Sequence, residues 1–489
     1  MPIFYSAIML TAVNLLLRLV GTSFQVYISG RIGAAGVGLL QLVLSVGSLA
    51  MVAGIAGVRT ATMYLTAGEL GRKRPQNVTW VLSACFLYSL ICSGAVAVLL
   101  YIFAPTIAAG WIGDGRTVGA LRLLAAFLPV SCLCGVMTGY FTAANRIATL
   151  AAVEVAEQLC SMAITMTALI FWAGQDPGRA CVSVVMGSCA GAMLTLSLLI
   201  ALRLKEKAPK GPRLPVRREL LKTAVPLALA DDLKSGITTV ENLMVPRRLG
   251  LCRAVSEPLA AFGIVSGMVF PILMFPACIL YALAELLIPE LARCAAAGSR
   301  MRIRYLVRRS LRLAMVYGLL FGGLEWLLAE VLCTKLYNNS EAGQFLRLYA
   351  LLIPMLYCDA ITDAMNKGLG QQHICVRFNI LTAAMDVAFL YLLLPKYGMM
   401  GYFFSFFVTH LINFGLSLGL LLKITGFRLP MHLPMLAFSA ALAAAWGAAQ
   451  SQIPAAQVVC YSVLLGALLY LLQIVKKEDL RWIKGLVKR

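Results

Sequence analysis

TAVPLALADDLKSGITTVENLMVPRR, residues 223–248, decides the fold. The stretch is long enough to cross a bilayer, yet it carries Asp231, Asp232, Lys234, Glu241, Arg247 and Arg248. A charge at the bilayer centre costs about 2.5–3.5 kcal/mol on insertion scales, so charges kept there face a partner or a water-filled cavity. At about 100° per residue, Asp231, Lys234, Thr238, Glu241 and Arg248 fall on one helical face, with Asp232 and Arg247 off it. A surface helix with a solvated charged face would show the same stripe. The apolar sequence on both sides favours a transmembrane helix that lines a cavity.

Those flanks set the class. Of 489 residues, 61% are hydrophobic and 13% charged, against about 45–50% and 25% in soluble domains. This composition predicts an all-α polytopic membrane protein. A net charge of +21 would suit a nucleic-acid partner, but the basic residues sit in short loops between apolar spans, where they fix orientation. The first apolar stretch, 4–28, is too long for a signal-peptide core and reads as the first span. On a scale of about 20 apolar residues per span, helices are expected near 4–28, 37–66, 78–104, 117–143, 147–172, 180–203, 220–246, 258–290, 311–335, 345–367, 374–394, 398–423, 434–450 and 455–475, fourteen in all. Basic residues concentrate in alternate loops, which puts both termini in the cytoplasm. The loop with Arg247, Arg248 and Arg253 runs against that bias.

Soluble chemistry is nearly absent. The 14 cysteines lie mostly inside spans, with no CxxC and no metal spacing to the histidines, and read as small apolar fillers. There is no G-x-x-x-x-G-K-[ST] and no Ser/His/Asp constellation, so a transporter is expected rather than an enzyme, without cofactor or metal.

An internal repeat is visible. LPVSCLCGVMTGYFTAANR from Leu128 aligns with IPMLYCDAITDAMNKGLGQ from Ile353 at an offset of 225. TAV at Thr11 followed by GRIG at Gly30 matches TAV at Thr223 followed by RRLG at Arg247. The expected organisation is a six-helix lobe over 1–204, a basic linker KEKAPKGPRLPVRRE over 205–219, a second six-helix lobe over 220–428, two additional helices over 429–475, and a basic tail over 476–489. Two copies in the same orientation imply a pseudo-two-fold along the membrane normal, with the substrate path between them.

Several spans carry polar stripes at helical spacing: Thr11, Asn14, Arg18 and Gln25; Gln41, Ser45 and Ser48, with Arg59 further on; Glu154 and Glu157; Asp359 and Asp363. Inter-helix hydrogen bonds, worth about 0.6 kcal/mol on average, account for most Ser, Thr and Asn positions. Intramembrane ions point instead to function. The expected substrate-binding residues are Arg18, Arg59, Lys234 and Arg248, with Asn14 and Gln25. Asp231, Glu241, Glu154, Asp359 and Asp363 are expected to balance charge or sense a coupling ion. Pro271 and Pro276 in the eighth span free backbone carbonyls and are expected to form a hinge.

Longer stretches carry a resemblance. VENLMVPRRLG (240–250), FGIVSGMVFPILMFPACIL (262–280), LLIPELARC (286–294), MNKGLGQQHI (365–374) and LLLPKYGMMGYFFSFFVTHLINFGLSL (392–418), with GAAGVGLLQLVLSVGSLAMVAGIAGVRTATM (33–63), resemble the stage V sporulation protein B branch of the polysaccharide-transporter group. The resemblance covers essentially the whole chain. Its superfamily includes lipid II flippases, O-antigen flippases and multidrug/toxic-compound extruders. It implies two six-helix lobes in a V arrangement plus two C-terminal helices. It also implies movement of an undecaprenyl-diphosphate-linked glycan, a peptidoglycan precursor or another polysaccharide unit, from the inner to the outer leaflet of the bacterial cell membrane. The expected partners are that glycolipid and membrane lipids, with no nucleic acid. The expected functional unit is a monomer, driven by membrane potential, proton or sodium. In lipid II flippases, arginines on the first, second and eighth helices and an acid on the first form the central site. Here Arg18 and Arg59 occupy the first two, and the remaining charge sits on the seventh. A cation-coupled drug extruder and a non-transporting scaffold for glycan synthesis or sporulation are the alternative readings.

Overall fold

A computed structural model describes residues 2–72, 74–174, 176–205, 217–427, 432–451 and 453–474. Most of the basic linker and all of the basic tail named above lie outside the described residues. The described chain is helical, with no strand among the described residues. Its helices are α1 (Pro2–Ile55), α2 (Val58–Gly71), α3 (Pro75–Thr106), α4 (Val118–Ala143), α5 (Ile147–Ala168), α6 (Pro177–Leu204), α7 (Arg217–Leu249), α8 (Pro258–Ile264), α9 (Phe270–Leu273), α10 (Ala277–Ala296), α11 (Arg300–Tyr337), α12 (Ser340–Ala350), α13 (Ile353–Gly368), α14 (Gln372–Thr425), α15 (His432–Ala449) and α16 (Pro454–Leu471). Nine helices among the described residues are long and apolar enough to cross a membrane, or eleven when two bent pairs each count as one span. Two of the long helices are broken by a kink, α1 at Gly33 (φ 69°) and α14 at Gly398 (φ 55°). The charges of α7 keep it out of that tally. The architecture is an all-α polytopic membrane protein, consistent with the fourteen spans expected.

Each bend has a local cause. Pro271 has no N–H to give the Gly267 carbonyl four residues back, and the turn before it, Val265–Val269, widens to π geometry. Three residues on, Met274–Pro276 interrupt the helix, and α8–α9 meets α10 at 63°. The carbonyls that the bend exposes are taken by two tyrosines. Tyr357 Oη donates to the Leu273 carbonyl at 3.2 Å, and Tyr317 Oη to that of Pro276 at 2.8 Å. A second bend, 56° between α12 and α13, falls just before Pro354, which opens α13.

The repeat recurs in the backbone. Gly113 (φ 86°) and Asn338 (φ 52°), 225 residues apart, both end a helix in the left-handed conformation. The next residues, Asp114 (φ −139°, ψ 110°) and Asn339 (φ −134°, ψ 111°), both turn a side-chain oxygen onto a following backbone N–H. Asn145 (φ 57°) and Gly370 (φ 80°) repeat the pattern at the same offset. Gly174 (φ 58°, ψ −127°) and Gly398 (φ 55°, ψ −134°) repeat it one residue short. Asp114 also pairs with Arg116 at 2.7 Å, and those hydrogen bonds hold its carboxyl below the ordinary range.

Packing separates two units: residues up to Gly267 with Leu390–Gly398, and Met268–Phe389 with the residues from Met399 onward. The repeat puts a boundary in the 205–219 linker, whereas packing puts it at Gly267, because α7 and α8 lie against α1. In the first unit, Val58, Val78, Val136, Phe141, Leu199 and Ala224 share a buried core. In the second, α15 lays Ala437, Ala441 and Ala444 into a core with Leu319, Tyr461 and Leu465. Tyr461 Oη donates to the Leu319 carbonyl at 2.7 Å, which fixes α16 to α11.

Candidate functional site

The charged stretch of α7 lines a cavity within the first unit, of about 550 Å³. Three local features build it. In the second limb of α1, Gln41, Ser45 and Ser48 recur at helical spacing and turn one polar face inward. Then Ala56 (φ 43°) and Gly57 (φ 70°) break the helix and restart it as α2, so that Arg59 and Thr60 of the new first turn reach the same space. Gly57 is required here, since a Cβ on it would lie 2.4 Å from the Ala224 carbonyl of α7. The absent side chain lets α7 come backbone-to-backbone against the turn. Tyr88 Oη donates to the Ala56 carbonyl at 3.2 Å and holds the break.

The third feature is the facing side of α7: Asp231, Lys234, Ser235, Thr238, Thr239 and Asn242. Two hydrogen bonds tie it to α1. Asn242 Nδ2 donates to Ser45 Oγ at 2.9 Å, and Thr239 Oγ1 to the Ser45 carbonyl at 3.2 Å. Ser45 Oγ in turn donates to the Gln41 carbonyl at 2.8 Å. One end of the cavity is therefore a closed hydrogen-bonded network, and the other holds the ions. Arg59, Lys234 and Asp231 are exposed to the cavity. Among the described residues none of the three makes an ion pair. Such charges at bilayer depth require water or a ligand. Glu154 of α5 lies within electrostatic reach of Arg59 and is half-buried. No aromatic ring lines the space among the described residues.

Of the residues expected from sequence, this cavity brings together Arg59, Lys234 and Asp231, with Glu154 near Arg59. The others are placed elsewhere. Arg18 is exposed on the first limb of α1, and the side chain of Asn14 lies outside the described residues. Arg248 carries its guanidinium over the Tyr391 ring, 3.2 Å from the centroid, a cation–π contact. Glu241 is half-buried on α7 away from the lining. Asp359 accepts from Asn413 Nδ2 at 3.2 Å, and Asp363 pairs with Lys367 at 2.6 Å, both in the second unit. Pro271 and Pro276 stand at the 63° bend. Ser235, Thr239 and Asn242 complete the lining; their spacing along α7 does not separate them from ordinary polar positions in spans, and the contacts to Ser45 are what mark Thr239 and Asn242.

Gln25 is where expectation and structure differ most. Its Nε2 donates to the Gly267 carbonyl at 3.3 Å, the one that Pro271 leaves without an N–H. In this structure it caps a proline-broken helix instead of facing the cavity. Gln25→Leu should therefore lower the melting temperature, in line with a loss of about 1–3 kcal/mol for an orphaned buried acceptor. It should leave headgroup affinity unchanged. Weakened headgroup binding at unchanged melting temperature would return Gln25 to a substrate role.

Residues 10–175 match the MatE family model. The chain is 21% identical over 420 residues to stage V sporulation protein B of Bacillus subtilis (strain 168), covering 81% of this chain and 78% of that protein. The lipid II flippase MurJ in an inward closed conformation superposes with a TM-score of 0.70 at 12% identity, covering 94% of this chain and 98% of that one. An inward-facing multidrug resistance MATE family transporter of the MOP superfamily gives 0.67 at 15% identity, covering 84% and 96%. The fold thus defines a multi-pass helical membrane protein with the architecture of these transporters. The match to the MatE family model is confined to residues 10–175.

Proposed function

We propose that this chain is a flippase that carries the phosphate-bearing headgroup of a lipid-linked glycan from the inner to the outer leaflet by alternating access. The observation that carries this reading is the pair of cations, Arg59 and Lys234, without ion-pair partners among the described residues, in a cavity whose other polar lining is hydroxyls, amides and the single carboxylate of Asp231, beside Leu44, Val52 and Ile55. A guanidinium fork and an ammonium match the oxygens of a diphosphate. Gln41, Ser48 and Thr238 offer hydrogen bonds of the kind sugar hydroxyls use. The names of stage V sporulation protein B and of the lipid II flippase are in keeping with it. On this reading the protein is a transporter in the bacterial cell membrane with both termini cytoplasmic. Its substrate is undecaprenyl-diphosphate-linked, and Asp231 with Glu154 balances the cations or couples transport to proton, sodium or membrane potential.

The test is binding of the purified protein to a panel of lipid-linked sugars, each with and without its phosphates. Phosphorylated forms should bind about tenfold or more tighter, since hydrogen bonds to charged groups are worth about 1.5–3 kcal/mol each. Equal binding of the dephosphorylated forms would sink the proposal. Asp231, together with the likeness to a multidrug transporter, favours one other reading, a cation-coupled drug extruder. A cationic drug site would be expected to use aromatic faces, and this cavity has none among the described residues. Export of ethidium that is lost in Asp231→Asn would reverse the ranking.

A further inference from the structure

Glu325 of α11 is 5% exposed, and neither of its carboxyl oxygens has a hydrogen-bond partner among the described residues. Asp386, as buried and in the same unit, accepts from Ser405 and Thr409. Buried polar groups are nearly always paired, and one left without a partner is costly. An acceptor empty at this depth is explained when its donor is engaged elsewhere.

Packing identifies the donor. Gly318, Gly322 and Glu325 share one face of α11, at i, i+4 and i+7. A Cβ on Gly318 would lie 2.7 Å from the Pro354 Cα, and one on Gly322 3.0 Å from the Ala350 carbonyl oxygen. That face is therefore pressed on the 56° bend between α12 and α13. One turn beyond Pro354 stands Tyr357, 2% exposed. Glu325 lies within electrostatic reach of the hydroxyls of Tyr357 and Tyr317, whose ring centroids are 5.9 Å apart. Both hydroxyls serve the other bend, Tyr357 donating to the Leu273 carbonyl and Tyr317 to that of Pro276. The Leu273 carbonyl needs that donor only while the helix is broken. In an unbroken α9–α10 it would take the Ala277 N–H, four residues on. The Tyr357 hydroxyl would then be released in a buried place and would need an acceptor of its own.

We propose that Glu325 is the alternate acceptor for Tyr357, and that the 63° bend is one position of a two-position latch. In the bent position, the one in this structure, Tyr357 holds the Leu273 carbonyl and Glu325 stands empty. In the straightened position Ala277 satisfies Leu273, and Tyr357 donates to Glu325. Pro276 resists the straight helix, and the open carboxyl resists the bent one. The latch ties the two bends of the second unit together, since the tyrosine belongs to α13 and the carbonyl to α9. It rests on Pro271 and Pro276 forming a hinge and is independent of what the α7 cavity binds.

The test reads the tyrosine directly. Fluorotyrosine is placed at position 357 of the full-length protein, and its fluorine resonance is recorded in the parent and in Pro276→Ala, which restores a backbone N–H inside the break. Pro276→Ala should enlarge or introduce a second resonance, that of the hydroxyl on Glu325. Adding Glu325→Leu should cut that population about tenfold, the cost of orphaning a buried hydroxyl. Adding Glu325→Gln instead, which keeps an acceptor, should retain it. In the parent, Glu325→Leu should hold or raise the melting temperature, because the bent position loses no bond. A single unmoved resonance in Pro276→Ala, a second resonance that survives Glu325→Leu, or a fall in melting temperature on Glu325→Leu would each overturn the proposal. Should Pro276→Ala fail to fold, the melting temperature of Glu325→Leu in the parent still decides.

Discussion

Lys234→Ala and Arg59→Ala should each stop translocation of a lipid-linked glycan in reconstituted vesicles, while insertion and melting temperature stay at the parent's values. Both side chains reach the α7 cavity without an ion-pair partner among the described residues. Their removal therefore orphans no protein group, and the usual penalty for breaking a buried pair does not arise. What is lost is the charge-assisted contact to phosphate, about 1.5–3 kcal/mol for each residue, or about one to two orders of magnitude in headgroup affinity. Arg59→Lys should keep part of the activity, because it retains the charge and loses the planar fork. Asp231→Asn should tighten headgroup binding by removing the carboxylate that lines the cavity beside these cations. Arg18→Ala, off the cavity lining, should leave headgroup affinity unchanged. The measurement is protection of a labelled lipid from a membrane-impermeant reductant. Parent-like flipping by both alanine variants would remove the site.

Gly263→Val should strongly destabilise the first unit. A Cβ on Gly263 would lie 2.1 Å from the Ala34 carbonyl oxygen, 2.6 Å from the Gly38 nitrogen and 2.9 Å from its Cα. Reciprocally, a Cβ on Gly38 would lie 2.2 Å from the Leu259 carbonyl oxygen. The second limb of α1 and α8 therefore meet through backbone on both sides, the close approach that small residues permit between membrane helices. Overpacking a core costs about 1–3 kcal/mol when side chains can yield. Here the obstacles are main-chain atoms, so the whole helix must shift and the loss should exceed that range. Gly94→Ala and Gly110→Ala, with nothing within 4 Å of the added carbon, are the matched controls. Thermal unfolding in detergent reads the difference, and a melting temperature for Gly263→Val equal to that of the controls would refute the argument.

The charged cavity could be anticipated from sequence because ions inside an apolar stretch have few explanations. Lys234, Asp231 and Arg59 stood out for that reason, and the Gln41–Ser45–Ser48 stripe could be read beside them. Asn242 and Thr239 escaped notice because neutral polar residues in spans are common, and only the contact to Ser45 distinguishes them. The contact that Gln25 makes could not be read from the sequence. Its partner is a carbonyl 242 residues away, orphaned by a proline, and no local pattern carries that information. The second expected span, 37–66, hid the break at Ala56–Gly57, because a glycine placed to admit a neighbouring backbone looks the same in sequence as one in an ordinary helix. Arg248 followed the polar face of α7 on paper, but Tyr391, remote in sequence, claims it.

The matching turns exchange residue types between the two copies. At the first pair the earlier copy holds Gly113 and the later Asn338; at the second the earlier holds Asn145 and the later Gly370. The substitution runs in opposite directions at the two sites, between the two residue types that enter the left-handed region most readily. The shared backbone conformation is met by glycine in one copy and asparagine in the other, so each copy shows a residue that the corresponding turn accepts. A single chain of this kind carries a two-member alignment within itself, and positions where its halves disagree on residue but agree on backbone mark where geometry, not chemistry, is inherited.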